Sequence, residues 1–167
     1  MRATSRTSSD RGVVRVIAAA LACLFVGDST AQGAAQAFNR RAAIPCPVVA
    51  RIGAGSAEVA RWTLPAVPTR FAIVGIGTND PTRPGLPASL RATRRKIRAA
   101  RVVWLLPYHR GAAAQVSAVA ASCGDYVLDL AELPTRDRIH PATYAGIATA
   151  LRRLSLIHIS EPTRRRG

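Results

Sequence analysis

Short apolar runs alternate along this chain with longer segments in which apolar residues recur every three or four positions. The short runs predict strands buried on both faces, since such strands carry few polar side chains. The longer segments predict helices with one face towards a core. This alternation, with short connections, predicts a three-layer α/β sandwich around a parallel sheet. The five predicted strands are residues 13–26, 48–52, 71–75, 102–106 and 126–130.

The predicted helices lie between and after these strands. Leu86, Leu90 and Ile97 follow helical spacing and leave arginines on the other faces. Ser56 is suited to cap a short helix. Pro141 would stand in the first turn of the last helix, where its missing N–H costs nothing. The five predicted helices are residues 32–41, 56–62, 86–100, 111–122 and 141–153.

The N-terminal segment allows two interpretations. Residues 1–12 are polar and basic, and we expect them to be disordered. Residues 13–26 have the character of a signal-peptide h-region, but cleavage there would leave almost no strand ahead of Ser29. A buried first strand is therefore favoured, and with it a cytoplasmic location over an exported one.

The C-terminal segment differs from the rest. Residues 154–164 resemble the in-frame translation of a transposase sequencing adapter, so we expect the native chain to be legible only to about Arg153. His158 is set aside with them. The predicted organisation is a disordered N-terminus at 1–12, one domain at 13–153 and a non-native tail at 154–167, with no transmembrane span.

The net charge of +15 comes almost entirely from arginine, since Lys96 is the only lysine. Such a charge gives affinity for anionic polymers. An arginine bias beside abundant alanine, glycine and proline also indicates GC-rich codons. A solvated basic exterior is the favoured interpretation, also for the six basic residues within 91–101, and a nucleic-acid partner is not expected.

The three cysteines, Cys23, Cys46 and Cys123, lie in apolar surroundings without metal-ligand spacing. Their odd number and their setting predict buried free thiols rather than a disulfide framework or a zinc site. We expect no metal and no cofactor.

Three polar motifs carry the candidate chemistry: Gly-Asp-Ser at 27–29, Gly-Thr-Asn-Asp at 77–80 and Asp-Arg-Ile-His at 137–140. The first two follow predicted strands, and the third precedes the last predicted helix. Taken singly, each is an ordinary turn or helix cap. Because ligands bind at the carboxyl ends of parallel strands, we expect the three to share one edge of the sheet.

Together the motifs supply the parts of a nucleophilic site. Ser29 needs a base to remove its proton, and His140 is the candidate base. Asp137, three residues earlier, can bind Nδ1 of that ring and fix its tautomer. Asp28 is expected to shape the turn. His109, with no acid near it in sequence, is read as a loop residue at the rim.

An attacked carbonyl also needs hydrogen-bond donors for its developing negative charge. The candidates are the side-chain amide of Asn79 and the main-chain N–H groups of Ser29 and Gly53, with Gly55 as the alternative to Gly53. Glycine suits this role because it lets the main chain approach a ligand closely.

On these residues the chain resembles the SGNH/GDSL hydrolase family over about residues 20–153. The resemblance implies a flavodoxin-like sheet in the order 2-1-3-4-5. It also implies metal-free ester hydrolysis by a triad of Ser29, Asp137 and His140, with Ser29, Gly53 and Asn79 forming the oxyanion hole. Two departures are Thr30, where a leucine is common, and a second block without the Asn-x-Gly pattern.

The sequence therefore predicts a serine ester hydrolase that acts through an acyl-enzyme. The short chain leaves little room for a lid, which favours short acetyl-type esters, such as O-acetylated carbohydrate, as substrates. A thioesterase or lysophospholipase reaction at the same site is an alternative. A non-catalytic, arginine-rich module that binds polyanions is the alternative from another class.

Overall fold

The computed structural model describes residues 21–157, and within them one five-stranded sheet forms the middle layer of an α/β sandwich. All strand pairs are parallel, and the order is β2-β1-β3-β4-β5. This confirms the predicted flavodoxin-like architecture. The strands are β1 (Leu21–Gly27), β2 (Val48–Ala50), β3 (Thr69–Gly75), β4 (Ala99–Leu106) and β5 (Tyr126–Asp129).

Helices cover both faces of the sheet and enclose two apolar cores. One core lies under α2, α3 and α4 and contains the fully buried Trp104. The other lies under α1 and α5 and contains Phe25 and Phe38. The helices are α1 (Ser29–Asn39), α2 (Ser56–Val59), α3 (Leu86–Lys96), α4 (Arg110–Ser122) and α5 (Ala145–Ile157), and a short 3-10 helix spans Leu130–Glu132.

Several helix boundaries differ from the prediction. Helix α1 begins at Ser29 rather than at residue 32, because Asp28 caps it. Helix α5 begins at Ala145 rather than at residue 141, because Pro141 instead pairs with Thr135 in an isolated antiparallel bridge. Ser56 is the first residue of α2, and the capping position belongs to Gly55.

Both predicted domain limits fall close to the ends of the described region. Residues 13–20 of the predicted first strand lie outside it, and β1 begins at Leu21. Helix α5 continues past Arg153, and Leu154 packs against the core beneath α1 and α5. The disorder expected for residues 1–12 also lies outside the described residues, and the origin proposed for residues 154–164 stays a prediction.

The prediction of buried free thiols is wrong. Cys23 and Cys46 form a disulfide with their Cα atoms 5.1 Å apart. Parallel pairing of β1 with β2 carries the segment before β2 alongside Cys23, which sequence spacing does not reveal. The side chain of Asn39 reinforces this link by bonding the main-chain N–H and carbonyl of Cys46, at 2.9 and 3.0 Å. Cys123 is free but exposed.

None of the helices described between residues 21 and 157 is both long and apolar enough to cross a bilayer.

Candidate active site

The first two polar motifs meet because β1 and β3 are neighbours, with Gly27 paired to Gly75. Gly27 has φ +138°, and a Cβ atom on it would overlap the main-chain oxygen of Gly75. That same oxygen accepts a hydrogen bond of 2.8 Å from the N–H of Asp28. Only glycine therefore permits the close turn that leads directly from β1 into α1.

Asp28 is completely buried and joins the first two motifs. One carboxylate oxygen accepts the N–H and the hydroxyl of Thr30, at 2.8 and 2.6 Å, and caps α1. The other accepts a longer bond of 3.4 Å from the N–H of Thr78. Burial raises the pKa of Asp28, and these hydrogen bonds act against that rise. Thr30 thus provides two hydrogen bonds to this carboxyl.

Ser29 is the first residue of α1, so its main-chain N–H is among those that a helix leaves without an internal partner. The positive end of the helix dipole lies at the same point. The Oγ atom of Ser29 lies 2.8 Å from Nε2 of His140, which is 111 residues away in the sequence. The fold therefore places the candidate nucleophile against the candidate base.

The His140 ring contacts the Asp137 carboxylate, with Nδ1 of His140 2.7 Å from Oδ2 of Asp137. The second oxygen of Asp137 accepts the N–H groups of His140 and Ile139, at 2.7 and 2.9 Å. The bond from the His140 ring, followed by these main-chain bonds, holds the pKa of Asp137 well below its usual range. Both side chains face solvent, with 37% of His140 and 49% of Asp137 exposed.

Asn79 and Asp80 attach the second motif to the segment before α2. The Asn79 amide donates to the carbonyl of Ala54 at 2.9 Å. One oxygen of Asp80 accepts the N–H and hydroxyl of Ser56, at 2.8 and 2.6 Å. Asn79 is thus held beside the peptide that joins Ala54 to Gly55.

The two glycine candidates for the oxyanion hole flank Ala54 in different settings. Gly53 is exposed and lies in a turn. A hydrogen bond of 3.2 Å from the N–H of Ala54 to the carbonyl of Arg51 closes this turn. Gly55 lies against the Asp80 carboxylate. The structure therefore brings the predicted segment to Asn79, and the choice of Gly53 as the donor stays a prediction.

Sequence reasoning missed two contributors near this site. Asp80 anchors α2 through Ser56. The sequence signal for this role is the position of Asp80 next to Asn79, shortly after a predicted strand. Tyr144 lies across Gly33, one turn after Ser29 on α1, so closely that a Cβ on Gly33 would overlap its ring. Burial, with the charges of Asp28 and Asp137, raises the pKa of Tyr144 to about 12. Nothing in the periodicity singled out this tyrosine.

His109 has a local structural partner. It is the N-cap of α4, and its Nδ1 accepts the N–H of Ala112 at 3.2 Å. The described residues contain no group of three or more His, Cys, Asp or Glu side chains that could hold a metal ion. A cavity of about 580 Å³ opens at the opposite edge of the sheet, beside Arg70 and Arg101, and lies away from the polar motifs.

Solved structures with a similar fold include two esterases and the catalytic domain of an O-acetyltransferase. The aryl esterase of M. smegmatis superposes with a TM-score of 0.63 at 13% identity, covering 81% of this chain and 100% of that one. The C-terminal catalytic domain of Streptococcus pneumoniae peptidoglycan O-acetyltransferase A gives 0.58 at 15% identity, covering 86% and 97%. A carbohydrate acetylesterase from Sinorhizobium meliloti gives 0.55 at 12% identity, covering 80% and 99%.

No family model matches the sequence, and no curated protein matches it. At such low identities the structural likeness establishes a shared fold.

Proposed function

We propose that this chain is a serine ester hydrolase of the SGNH/GDSL type that works through an acyl-enzyme. The observation that carries the proposal is the continuous hydrogen-bonded chain from Ser29 Oγ through both ring nitrogens of His140 to Asp137. A nucleophile, a base and an orienting acid in this relation define a triad by geometry, whatever their order in sequence. The catalytic domain is proposed to lie within residues 13–153.

In the first step His140 Nε2 takes the proton of Ser29 as Oγ attacks the ester carbonyl. Asp137 holds the proton on Nδ1 and stabilises the imidazolium that forms. His140 then gives its proton to the leaving alcohol, and the acyl group remains on Ser29. A water molecule repeats the sequence, which releases the acid and restores the serine.

The negative charge on the attacked oxygen would be held by three donors. Two are the main-chain N–H of Ser29, at the positive end of α1, and the Asn79 amide, which keeps one proton beyond the one given to Ala54. The third is the N–H of Gly53. Removing one such donor costs about 3 kcal/mol in measured oxyanion holes.

The substrates proposed are short acyl esters, with O-acetylated carbohydrate as the preferred class. The exposure of His140 and Asp137 fits an open site that a polymer can approach. Among the structural neighbours are a carbohydrate acetylesterase and a peptidoglycan O-acetyltransferase, which supports this choice.

The basic helix α3 gives less support to a polyanion-binding module. Arg94 makes two bonds to the buried carboxylate of Asp125, at 2.6 and 2.9 Å. Lys96 donates to the carbonyls of Ala60 and Trp62. These two cations are thus engaged in holding the fold together.

The test is p-nitrophenyl ester hydrolysis by the full chain and by Ser29→Ala and His140→Ala. We expect at least about a thousandfold loss of kcat in both variants, because each removes a member of the triad. Ser122→Ala and His109→Ala are the matched controls and should keep activity, since Ser122 bonds only locally at the end of α4. Activity retained by either triad variant contradicts the proposed mechanism.

Acyl length tests the substrate class separately. Acetyl, butyryl and octanoyl esters of p-nitrophenol should be hydrolysed with kcat/KM falling in that order. An octanoyl ester turned over faster than the acetyl ester would contradict the short-acyl proposal while leaving the serine mechanism intact.

A further inference from the structure

The loop that carries Asp137 and His140 is closed at its base by main-chain contacts. Thr135 and Pro141 form an antiparallel bridge, and the N–H of Ala142 donates to the carbonyl of Pro134 at 2.7 Å. The segment between them makes no regular helix or strand. Apart from the contact of Nε2 with Ser29, the direction of the His140 ring therefore depends on contacts inside this short loop.

The hydroxyl of Thr135 lies at the centre of those contacts. Its Oγ1 is 2.7 Å from the carbonyl oxygen of His140 and accepts the N–H of Arg138 at 2.9 Å. It also lies 3.3 Å from Oδ1 of Asp137. A hydroxyl has one proton to donate, and the shorter contact assigns that proton to the His140 carbonyl. One side chain thus contacts the candidate acid, the candidate base and the residue Arg138 between them.

The hydrogen bond from the N–H of Arg138 to Thr135 stabilises an unfavourable main-chain conformation at Arg138. Arg138 has φ +58°, in the left-handed region that is unfavourable for a residue with a side chain. The loop is exposed, so apolar packing provides little to offset this cost. The hydrogen bond to the Arg138 N–H helps to hold the turn in this conformation.

We propose that Thr135 is the positioning residue of the catalytic histidine. Its hydroxyl fixes the main chain at Arg138 and His140, and so holds the ring between Ser29 and Asp137. This inference rests on the proposed function. Thr135 acts through His140 and is expected to change turnover rather than binding of the substrate.

The kinetic test compares Thr135→Val, which keeps the shape and removes the hydroxyl, with Thr135→Ser, which keeps the hydroxyl. We expect kcat of Thr135→Val to fall by about tenfold to a hundredfold, because small misplacements of reacting groups have effects of this size. KM should change by less than about threefold, and Thr135→Ser should restore kcat to within about threefold. Thr149→Val on α5, whose hydroxyl bonds the carbonyl of Ala145, is the matched control and should be unaffected.

A spectroscopic measurement separates this inference from the proposed function. In ¹⁵N-labelled full chain, the Nδ1 proton of His140, assigned by its loss in His140→Ala, should give a low-field signal. Thr135→Val should broaden or abolish that signal, and Thr135→Ser should keep it. If the wild-type chain hydrolyses no ester, the function fails while the signal still tests Thr135.

Two outcomes overturn the inference. One is Thr135→Val with wild-type kcat and an unchanged His140 signal. The other is Thr135→Ser as impaired as Thr135→Val, which would show that the hydroxyl alone does not hold the histidine. Should Thr135→Val not fold, Thr135→Ala takes its place as the variant without the hydroxyl: a tenfold or larger loss of kcat beside an active Thr135→Ser supports the inference, and wild-type kcat overturns it.

Discussion

The two halves of the candidate site are built in opposite ways. Ser29 stands between the completely buried Asp28 and Thr30, at the join of a central strand and a helix packed over it. Asp137 and His140 stand on an exposed loop without regular secondary structure. The core thus positions the nucleophile, whereas a few local hydrogen bonds position its partners.

This difference separates stability from activity. A change beside Ser29 disturbs the packing of β1, β3 and α1 and should first appear as lost folding. A change in the 135–141 loop leaves that packing in place and should first appear as lost turnover. Tyr144 is the bridge between the halves, since it follows the loop and packs on Gly33 of α1.

The largest effect is expected at the buried half, from Gly27→Ala. The new methyl group would overlap the Gly75 oxygen and force a positive φ on alanine, so we expect a loss of more than about 4 kcal/mol. Soluble yield and thermal unfolding measure it. Gly124→Ala, also at positive φ but with open space around it, is the control and should cost only about 1 kcal/mol. Equal losses in the two variants would refute the close-contact explanation.

The next effect concerns the disulfide that joins β1 to the segment before β2. Replacing both Cys23 and Cys46 by serine should lower the free energy of unfolding by about 3 kcal/mol, as expected for a crosslink across 23 residues. Urea unfolding measures this loss. Because the crosslink lies away from Ser29, kcat of the folded variant should stay within about twofold. Cys123→Ser, at an exposed free thiol, is the control.

A smaller effect tests the bridge between the two halves. In Gly33→Ala the methyl group meets the Tyr144 ring, while alanine favours the helix by about 1 kcal/mol. We expect a net loss of about 1–2 kcal/mol in urea unfolding. Gly33→Ala combined with Tyr144→Leu tests the contact, and the pair should be less destabilised than the sum of the single changes. Strict additivity would show that the two residues act independently.

The smallest effect is expected on the exposed loop, and it has the opposite sign. Arg138→Gly relieves the left-handed strain, so we expect either no loss or a gain of up to about 1 kcal/mol in stability. Arg138→Val, with a branched side chain, should instead lower kcat, because the loop that carries His140 would shift. Differential scanning calorimetry and ester hydrolysis measure the two effects. A stability loss in Arg138→Gly would contradict the assignment of strain.

The sequence predicted most of the fold because apolar runs and helical spacing report burial directly. Residues 71–75, for example, fall inside the observed Thr69–Gly75 strand. It also singled out Ser29, Asp137 and His140, since few residue types can supply a nucleophile, a base and an acid. The fold places these three in one hydrogen-bonded chain.

The errors come from contacts that periodicity along the chain does not report. The Cys23–Cys46 disulfide depends on the pairing of β1 with β2. Helix α5 starts later than predicted because Pro141 pairs with Thr135 across a turn. Helix periodicity contains no information about either contact. The role proposed for Thr135 depends on the same turn.

The attachment of α1 at both ends has a consequence for the timing of local motions. Asp28 holds the first turn, and the Asn39–Cys46–Cys23 link holds the last. Main-chain amides that are hydrogen-bonded within this helix should therefore exchange with deuterium only when the whole domain opens. Amides of the 135–141 loop should exchange far earlier. Ser29 would then stay in position while motions of the 135–141 loop repeatedly carry His140 away from it and back.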